Sequence, residues 1–269
     1  MKISVVTTFN QSGYEKYGRN MINSFVKNWP EEVTLYAYSE NCQVFEQAKN
    51  LVVRDLHSSS PELVLFKQKW KDDLRATGKL ATGPVGKGGK QPGIGFKWDA
   101  VRFSHKVYAI FHCAKNCESD ILMWMDADTV CHSPISMIDI VNLIPQNQDI
   151  CYLGRENKYS ECGLYSMNLK TDQTLEFLRE FQRMYDQAEA GIFRLGEWHD
   201  SFVFDDVRLR MPFLKQHDWS RGLIKGEGHP LINSAWGAYL DHLKGDRKDL
   251  GKSKMTDLRV SRQESYWVS

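Results

Sequence analysis

Residues 121–125 read Ile-Leu-Met-Trp-Met, and the next three are Asp126, Ala127 and Asp128. Five large apolar side chains in a row leave no face of an extended segment for water. The stretch therefore predicts a strand covered on both sides, which belongs in the middle of a mostly parallel sheet with helices above and below. Ligands bind at the C-terminal edge of such sheets, and this strand delivers Asp126 and Asp128 there. Two carboxylates side by side repel each other and lose hydration on burial. A hard divalent cation relieves both costs, and side chains at i and i+2 of an extended segment point the same way, so both can reach one ion. No other D-x-D occurs in the chain. The plainer alternative is a solvated turn, with Asp126 capping and Asp128 exposed.

The rest of the chain fits an α/β fold. Residues 3–9, 33–38 and 51–56 read as strands. Residues 14–29 have helical spacing, with Tyr17, Met21, Ile22, Phe25 and Val26 on one face and Pro30 as the stop. This β-α-β opening implies parallel pairing. Residues 61–76 and 97–116 read as helices. The second carries a stripe of Ala100, Phe103, Val107, Ile110 and Phe111, with Arg102, Lys106 and Lys115 off it. Further strands are expected at 150–154 and 162–168, and helices at 174–190 and 233–244. A loop leading into a helix start is expected at 197–205, and the last 25 residues read as an ill-defined tail. Residues 77–95 are rich in Gly, Pro and Lys. They read as a surface loop or, through Lys79, Lys87 and Lys90, as an anion-binding lid. No internal repeat or linker is seen, so a single domain over residues 1–269 is expected.

Composition excludes some partners. Thirty-five Lys and Arg against 34 Asp and Glu give a net charge of +1 over 269 residues, so nothing demands nucleic acid or a membrane surface. No stretch reaches the ~18 apolar residues of a transmembrane span, and the N-terminal apolar run is too short for a signal peptide. The sequence reads as a complete, cytoplasmic protein. Its six cysteines read as reduced thiols, with Cys113 and Cys117 sharing a helix face.

At MWMDADTV the chain resembles the GT-A glycosyltransferases, whose D-x-D motif holds Mn²⁺ or Mg²⁺ on the diphosphate of a nucleotide-sugar. Three other stretches, in the same chain order, point to the family-8 members. HLKGDRK resembles their HxxGxxK segment, with His242, Gly245 and Lys248 matching, although Asp249 and Leu250 stand where Pro-Trp often follows. ECGLYSMNL is similar to their NSGxxxxN strand at Gly163 and Asn168, with Glu161 and Cys162 in place of Asn and Ser. EWHDSFVFDDV resembles a DQDxxN-type segment at Asp200. The resemblance implies a single GT-A-like, Rossmann-like domain. Residues 1–130 would be the nucleotide-binding half, 131–250 the acceptor and metal-completing half, and 251–269 a tail.

It further implies a metal held by Asp126, Asp128 and His242, with His229 in GHPLINSAW as the other candidate imidazole. Gly245 and Lys248 would meet the diphosphate, and Thr7, Thr8 and Phe9 the base and ribose. Lys97, Arg102 and Lys106 would contact phosphate or form a solvated helix face. Asp200 and Glu161 are the candidate catalytic carboxylates, though Asp200 also suits a helix N-cap. His242 and Lys248 equally suit the decorated end of a helix. The expected partners are a nucleotide-sugar donor, UDP-linked by preference, and a glycan or glycoconjugate acceptor, with retention of configuration favoured. Two other readings stay open. One is a nucleotidyltransferase acting on a sugar phosphate, although TTFNQSG lacks its glycine-rich loop. The other is a non-catalytic sugar-binding protein.

Overall fold

A computed structural model describes residues 1–79, 95–226 and 228–268. Lys87 and Lys90 of the expected lid lie outside the described residues. Lys79 lies within them and lines the cleft described below.

The chain is α/β. Its opening strands are β1 (Ile3–Asn10), β2 (Thr34–Glu40) and β3 (Leu51–Asp55), followed by β4 (Ile121–Met125) and β5 (Thr129–Cys131). The second half contributes β6 (Ile150–Arg155), β7 (Lys158–Asn168), β8 (Gln216–Asp218) and β9 (Leu240–His242). Seven strands make one sheet in the order β3-β2-β1-β4-β7-β6-β8, while β5 and β9 form a separate pair. Pairing is parallel from β3 to β4 and between β6 and β8, and β7 runs antiparallel to both its neighbours.

The principal helices are α1 (Arg19–Asn28), α2 (Pro61–Trp70), α3 (Ala100–Asn116), α4 (Met137–Leu143), α5 (Asp172–Asp186) and α6 (Asp200–Leu209). A π turn at Tyr14–Gly18 leads directly into α1. Helices cover both sides of the sheet. Leu122 and Trp124 of β4 pack with residues of α2, α3, α5 and α6. Ile121, Met123 and Met125 pack with α1 and α4. The central strand thus buries every side chain, as its unbroken apolar run requires.

Two expectations are corrected. Residues 233–244 are not a helix. A short turn at Pro230–Asn233 is followed by a 3₁₀ turn at Ala235–Ala238, whose Ser234 side chain accepts from the Trp236 N–H, and then by β9. Pairing with β5 outweighs the helical spacing of the apolar residues. The C-terminal residues are not a loose tail. Trp267 is 1% exposed and its Nε1 donates to the Gly237 carbonyl at 2.7 Å. Tyr266 donates to Asp241 at 2.8 Å, and Ser253 caps the same carboxylate through its N–H and hydroxyl. The C-terminus therefore braces the strand that carries His242. All six cysteines are free, and no described helix is long and apolar enough to cross a membrane.

Candidate active site

The cleft at the C-terminal edge of β1 and β4 has a volume of about 950 Å³. Its centre is built by local hydrogen bonding. Asp126 N–H donates to the Gly163 carbonyl of β7 at 2.9 Å, which ends β4 while it is still tied to the sheet. The Thr129 N–H then returns to the Asp126 carbonyl at 3.0 Å, closing a turn. Asp126 and Asp128 therefore converge through a turn, and not through the extended i, i+2 geometry expected from the sequence. The chain continues into β5, which pairs Thr129 with His242 of β9, and the Leu243 N–H donates to the Asp128 carbonyl at 2.9 Å. This small two-stranded sheet carries an imidazole to an acidic turn more than a hundred residues upstream.

The ligand atoms of Asp126, Asp128 and His242 all lie within 4.8 Å of one another. His242 Nε2 is 3.0 Å from Asp128 Oδ1 and 3.4 Å from Asp126 Oδ2. The other oxygen of each carboxylate is already held. Asp126 Oδ1 accepts from Lys106 Nζ at 3.0 Å and from Trp124 Nε1 at 2.6 Å. Asp128 Oδ2 is 2.7 Å from Lys248 Nζ, which also sits 5.0 Å from the centre of the Tyr17 ring. Each carboxylate is thus pinned on one side and presents one oxygen inward.

The imidazole is fixed in the same manner. Glu161 is 2% exposed, and its Oε1 lies 2.6 Å from His242 Nδ1. Nδ1 therefore donates to Glu161, and Nε2 is the nitrogen turned toward Asp126 and Asp128. Carboxylate–imidazole pairs of this kind orient metal-binding histidines. Gly163 permits the arrangement, since a Cβ there would stand 2.4 Å from His242 Cε1 and Nδ1. The donor set and its outer partners fit a divalent cation such as Mn²⁺ or Mg²⁺.

The same geometry separates the two histidines. His229 Nε2 donates to the His242 carbonyl at 2.8 Å, and its Nδ1 faces Glu161 at 3.7 Å. His229 therefore stands behind the site, while His242 stands in it. Burial pushes the His229 imidazole down to about 4, against the pull of Glu161. Burial also acts against the charged form of His242, but Asp128, Asp126 and Glu161 outweigh it and hold that imidazole above its ordinary range. Burial raises Asp126, and Lys106 and His242 reverse this and keep its carboxyl below the usual range. Glu161 is likewise raised by burial and brought well below the carboxylate range by Lys244, His229 and His242.

Lys106 is neither a solvated cation nor open to phosphate. It is 4% exposed, and its Nζ bonds Asp126, Asp200 Oδ2 at 2.6 Å and the Cys162 carbonyl, 4.6 Å from the centre of the Trp124 ring. Lys106 lies off the apolar stripe of α3, on the side where Asp126 and Asp200 line the cleft, and is their counter-charge. Arg102 is exposed and lines the cleft. Lys97 lies off the lining and pairs with Glu197 at 3.0 Å. Thr8 and Phe9 line the cleft, and the Thr8 hydroxyl donates to the Tyr38 carbonyl at 2.8 Å. Thr7 is fully buried and does not line the cleft. Gly245 lines the cleft with φ +58, a conformation that glycine adopts freely.

Asp200, at the start of α6, lines the cleft, and the N-cap of that helix is His199, not Asp200. Glu161 has its oxygens engaged by His242, by Lys244 Nζ at 2.9 Å and by Arg155 Nη2 at 3.5 Å, which places it behind His242. Reading the sequence did not single out Arg155, Lys244 or Tyr159 as lining residues. Lys244 falls between His242 and Gly245, so the HLKG stretch already held that signal. Arg155 and Tyr159 flank the tight β6–β7 hairpin, where Arg155 pairs with Lys158 across Glu156 and Asn157, and nothing in the local sequence marks them.

No family model and no curated sequence matches the chain. Solved structures similar to it include the apo form of the WbbM bifunctional glycosyltransferase, at 11% identity over 81% of this chain and 38% of that one, with a TM-score of 0.46. The apo glycosyltransferase GlyE of Streptococcus pneumoniae TIGR4 is similar at 11% identity, 81% and 45% coverage and a TM-score of 0.45. Apo mouse xyloside xylosyltransferase 1 is similar at 13% identity, 81% and 85% coverage and a TM-score of 0.45. The chain spans less than half the length of the first two. A likeness this distant carries no argument about function, which rests on the geometry of the site.

Proposed function

We propose that the chain is a metal-dependent glycosyltransferase of the GT-A type, moving a sugar from a nucleotide-diphosphate sugar, UDP-linked by preference, to a hydroxyl of a glycan or glycoconjugate. One observation carries this reading. At the C-terminal edge of the central strand, Asp126, Asp128 and His242 turn one ligand atom each toward a common point, and every one of them is held from behind by a separate partner.

Mn²⁺ or Mg²⁺ held there would neutralise the charge that develops on a diphosphate leaving group. The chain's own residues divide the remaining work. Lys248, beside Asp128 and on the cleft wall, adds a cation for the same phosphates, and the open backbone at Gly245 lets them approach closely. Thr8 and Phe9 line the β1 end, where the nucleoside would lie. Glu161 orients His242 through Nδ1 and acts in this reading as a positioning residue, not as a reacting group. Lys106 holds Asp126 and Asp200 on one ammonium, so the metal carboxylate and the second cleft carboxylate are positioned as a unit. Asp200 is the carboxylate we assign to the face of the reacting carbon, with retention as the stereochemical outcome.

The test is thermal unfolding against a panel of nucleotide-sugars with and without Mn²⁺. A donor at about 100 times its Kd adds roughly 2.7 kcal/mol of stability. The expected result is a Mn²⁺-dependent shift for one nucleotide class, together with slow Mn²⁺-dependent hydrolysis of that donor in the absence of acceptor. A shift without hydrolysis would favour the non-catalytic sugar-binding reading, and the absence of any shift would overturn the donor assignment.

A further inference from the structure

The wall that runs from Glu161 toward the β6–β7 hairpin is not used by the donor chemistry above, and its charges do not balance. The single buried carboxylate of Glu161 faces two cations, Lys244 Nζ at 2.9 Å and Arg155 Nη2 at 3.5 Å, in addition to His242. Arg155 is the unusual member. Its side chain is only 8% exposed, it lines the cleft, and its Nε is buried with no hydrogen-bond partner among the described residues. A buried guanidinium with an idle donor and one long ion pair is incompletely satisfied. Desolvated arginine forks are suited to planar or tetrahedral oxyanions. Lys244 reaches Glu161 from the same cleft wall and leaves about a third of its side-chain surface open.

The groups beside this wall suit a sugar ring. Tyr159 lines the cleft just after the hairpin, packed against the His199 ring at 4.5 Å, and Phe96 lines it while 58% exposed. Such rings can pack against the apolar C–H face of a pyranose. Asp200, next in the chain to His199, lines the cleft as well. Its own partner is Lys106, so it does not neutralise Arg155 or Lys244.

We infer that the acceptor is an anionic sugar: Arg155 and Lys244 form a subsite for a phosphate or carboxylate carried by the acceptor, with Tyr159 and Phe96 packing against its ring. The inference rests on the transferase reading above. It adds that the acceptor's charge, and not only its hydroxyl, is recognised. Phosphate and carboxylate share the chemistry that Arg155 offers, and the probes below tell them apart.

The experiment uses the full chain with Mn²⁺ and UDP at saturation, so that the donor's phosphate site is filled. Glucose 1-phosphate, methyl glucuronoside and methyl glucoside are then titrated by calorimetry. The expected result is that one of the two anionic probes binds at least about tenfold more tightly than the neutral glycoside, as one charge-assisted contact provides. Preference for glucose 1-phosphate identifies a phosphate subsite, and preference for the glucuronoside a carboxylate subsite. Arg155→Gln should abolish the preference, Arg155→Lys should retain part of it, and Lys244→Gln should weaken it. Melting curves of each variant guard against unfolding. Equal binding of all three probes, or a preference that survives in both glutamine variants, overturns the inference. Failure of wild-type protein to bind UDP with Mn²⁺ instead counts against the donor reading, so the two failures are distinguishable.

Discussion

Replacing Gly163 with alanine tests the construction of the site through a single methyl group. The added Cβ would stand 2.4 Å from both Cε1 and Nδ1 of His242 and 3.1 Å from Glu161 Oε1. Ordinary carbon contacts begin near 3.4 Å, so the imidazole or the β7 backbone must retreat by about 1 Å. The backbone has little freedom, because the Gly163 carbonyl accepts from the Asp126 N–H at 2.9 Å. The imidazole has little more, being held at 2.6 Å by Glu161 and at 3.0 Å by Asp128. Losing the charge-assisted bond to Glu161 costs roughly 1.5–3 kcal/mol, and overpacking adds a term of about 1–3 kcal/mol. Part of each is relieved by the same displacement, so we expect a net loss of about 2–4 kcal/mol, seen as a fall of roughly 5–10 °C in Tm. Displacing a metal-facing histidine from its carboxylate partner should weaken Mn²⁺ binding by about 10- to 100-fold. Thermal melting and Mn²⁺ calorimetry on the same samples read both effects. A Gly163→Ala protein with wild-type stability and wild-type Mn²⁺ affinity would refute the claim that glycine is needed there to seat His242.

Other consequences follow from single contacts. Lys106→Met leaves Asp126, Asp200 and the Cys162 carbonyl facing each other without a cation, and should cost about 3–5 kcal/mol; Mn²⁺ should restore part of the loss, and a variant that melts like wild type in chemical denaturation would contradict the bridge. Trp267→Ala removes the buried C-terminal plug and should destabilise by about 3–5 kcal/mol; unchanged urea unfolding would show that the C-terminus does not brace β9. His132 stacks on Tyr266 at 4.0 Å, and burial pushes its imidazole down to about 4, with Asp241 opposing. The unfolded chain takes up that proton near pH 6.5, before the folded one does, so the stability contributed by neutral His132 is complete above about 6.5 and is lost as pH falls toward 4. His132→Phe keeps a ring in the stack and should reduce acid destabilisation across that window by about 2 kcal/mol; an unaltered pH dependence of unfolding would rule the assignment out.

What the sequence shows and what it hides follow from where the partners lie along the chain. β4 and the Asp126–Asp128 turn are legible because a strand buried on both faces has a local signature and because carboxylates at its end are chemically conspicuous. The β-α-β opening and the amphipathic α3 are legible for the same local reason. Lys106 is not: helical spacing shows that it lies off the apolar stripe, but only the fold shows that Asp126 and Asp200 wait on that side. The choice between His229 and His242 turns on the pairing of β5 with β9, two three-residue strands with no signal of their own. The apolar spacing around Trp236 and Leu240 imitates a helix, and tertiary pairing overrides it. Glu161 is conspicuous as a carboxylate in an apolar strand, yet its task is set by His242, 81 residues away.

The most direct test of the account is a Mn²⁺ titration followed by electron paramagnetic resonance, which reads the ion itself and requires neither donor nor acceptor. The account predicts saturable binding of a single Mn²⁺ by wild-type protein, lost in Asp128→Ala and in His242→Ala but retained in His229→Gln. Absence of saturable binding, or binding that survives both of the first two substitutions, would contradict the placement of a metal centre at Asp126, Asp128 and His242.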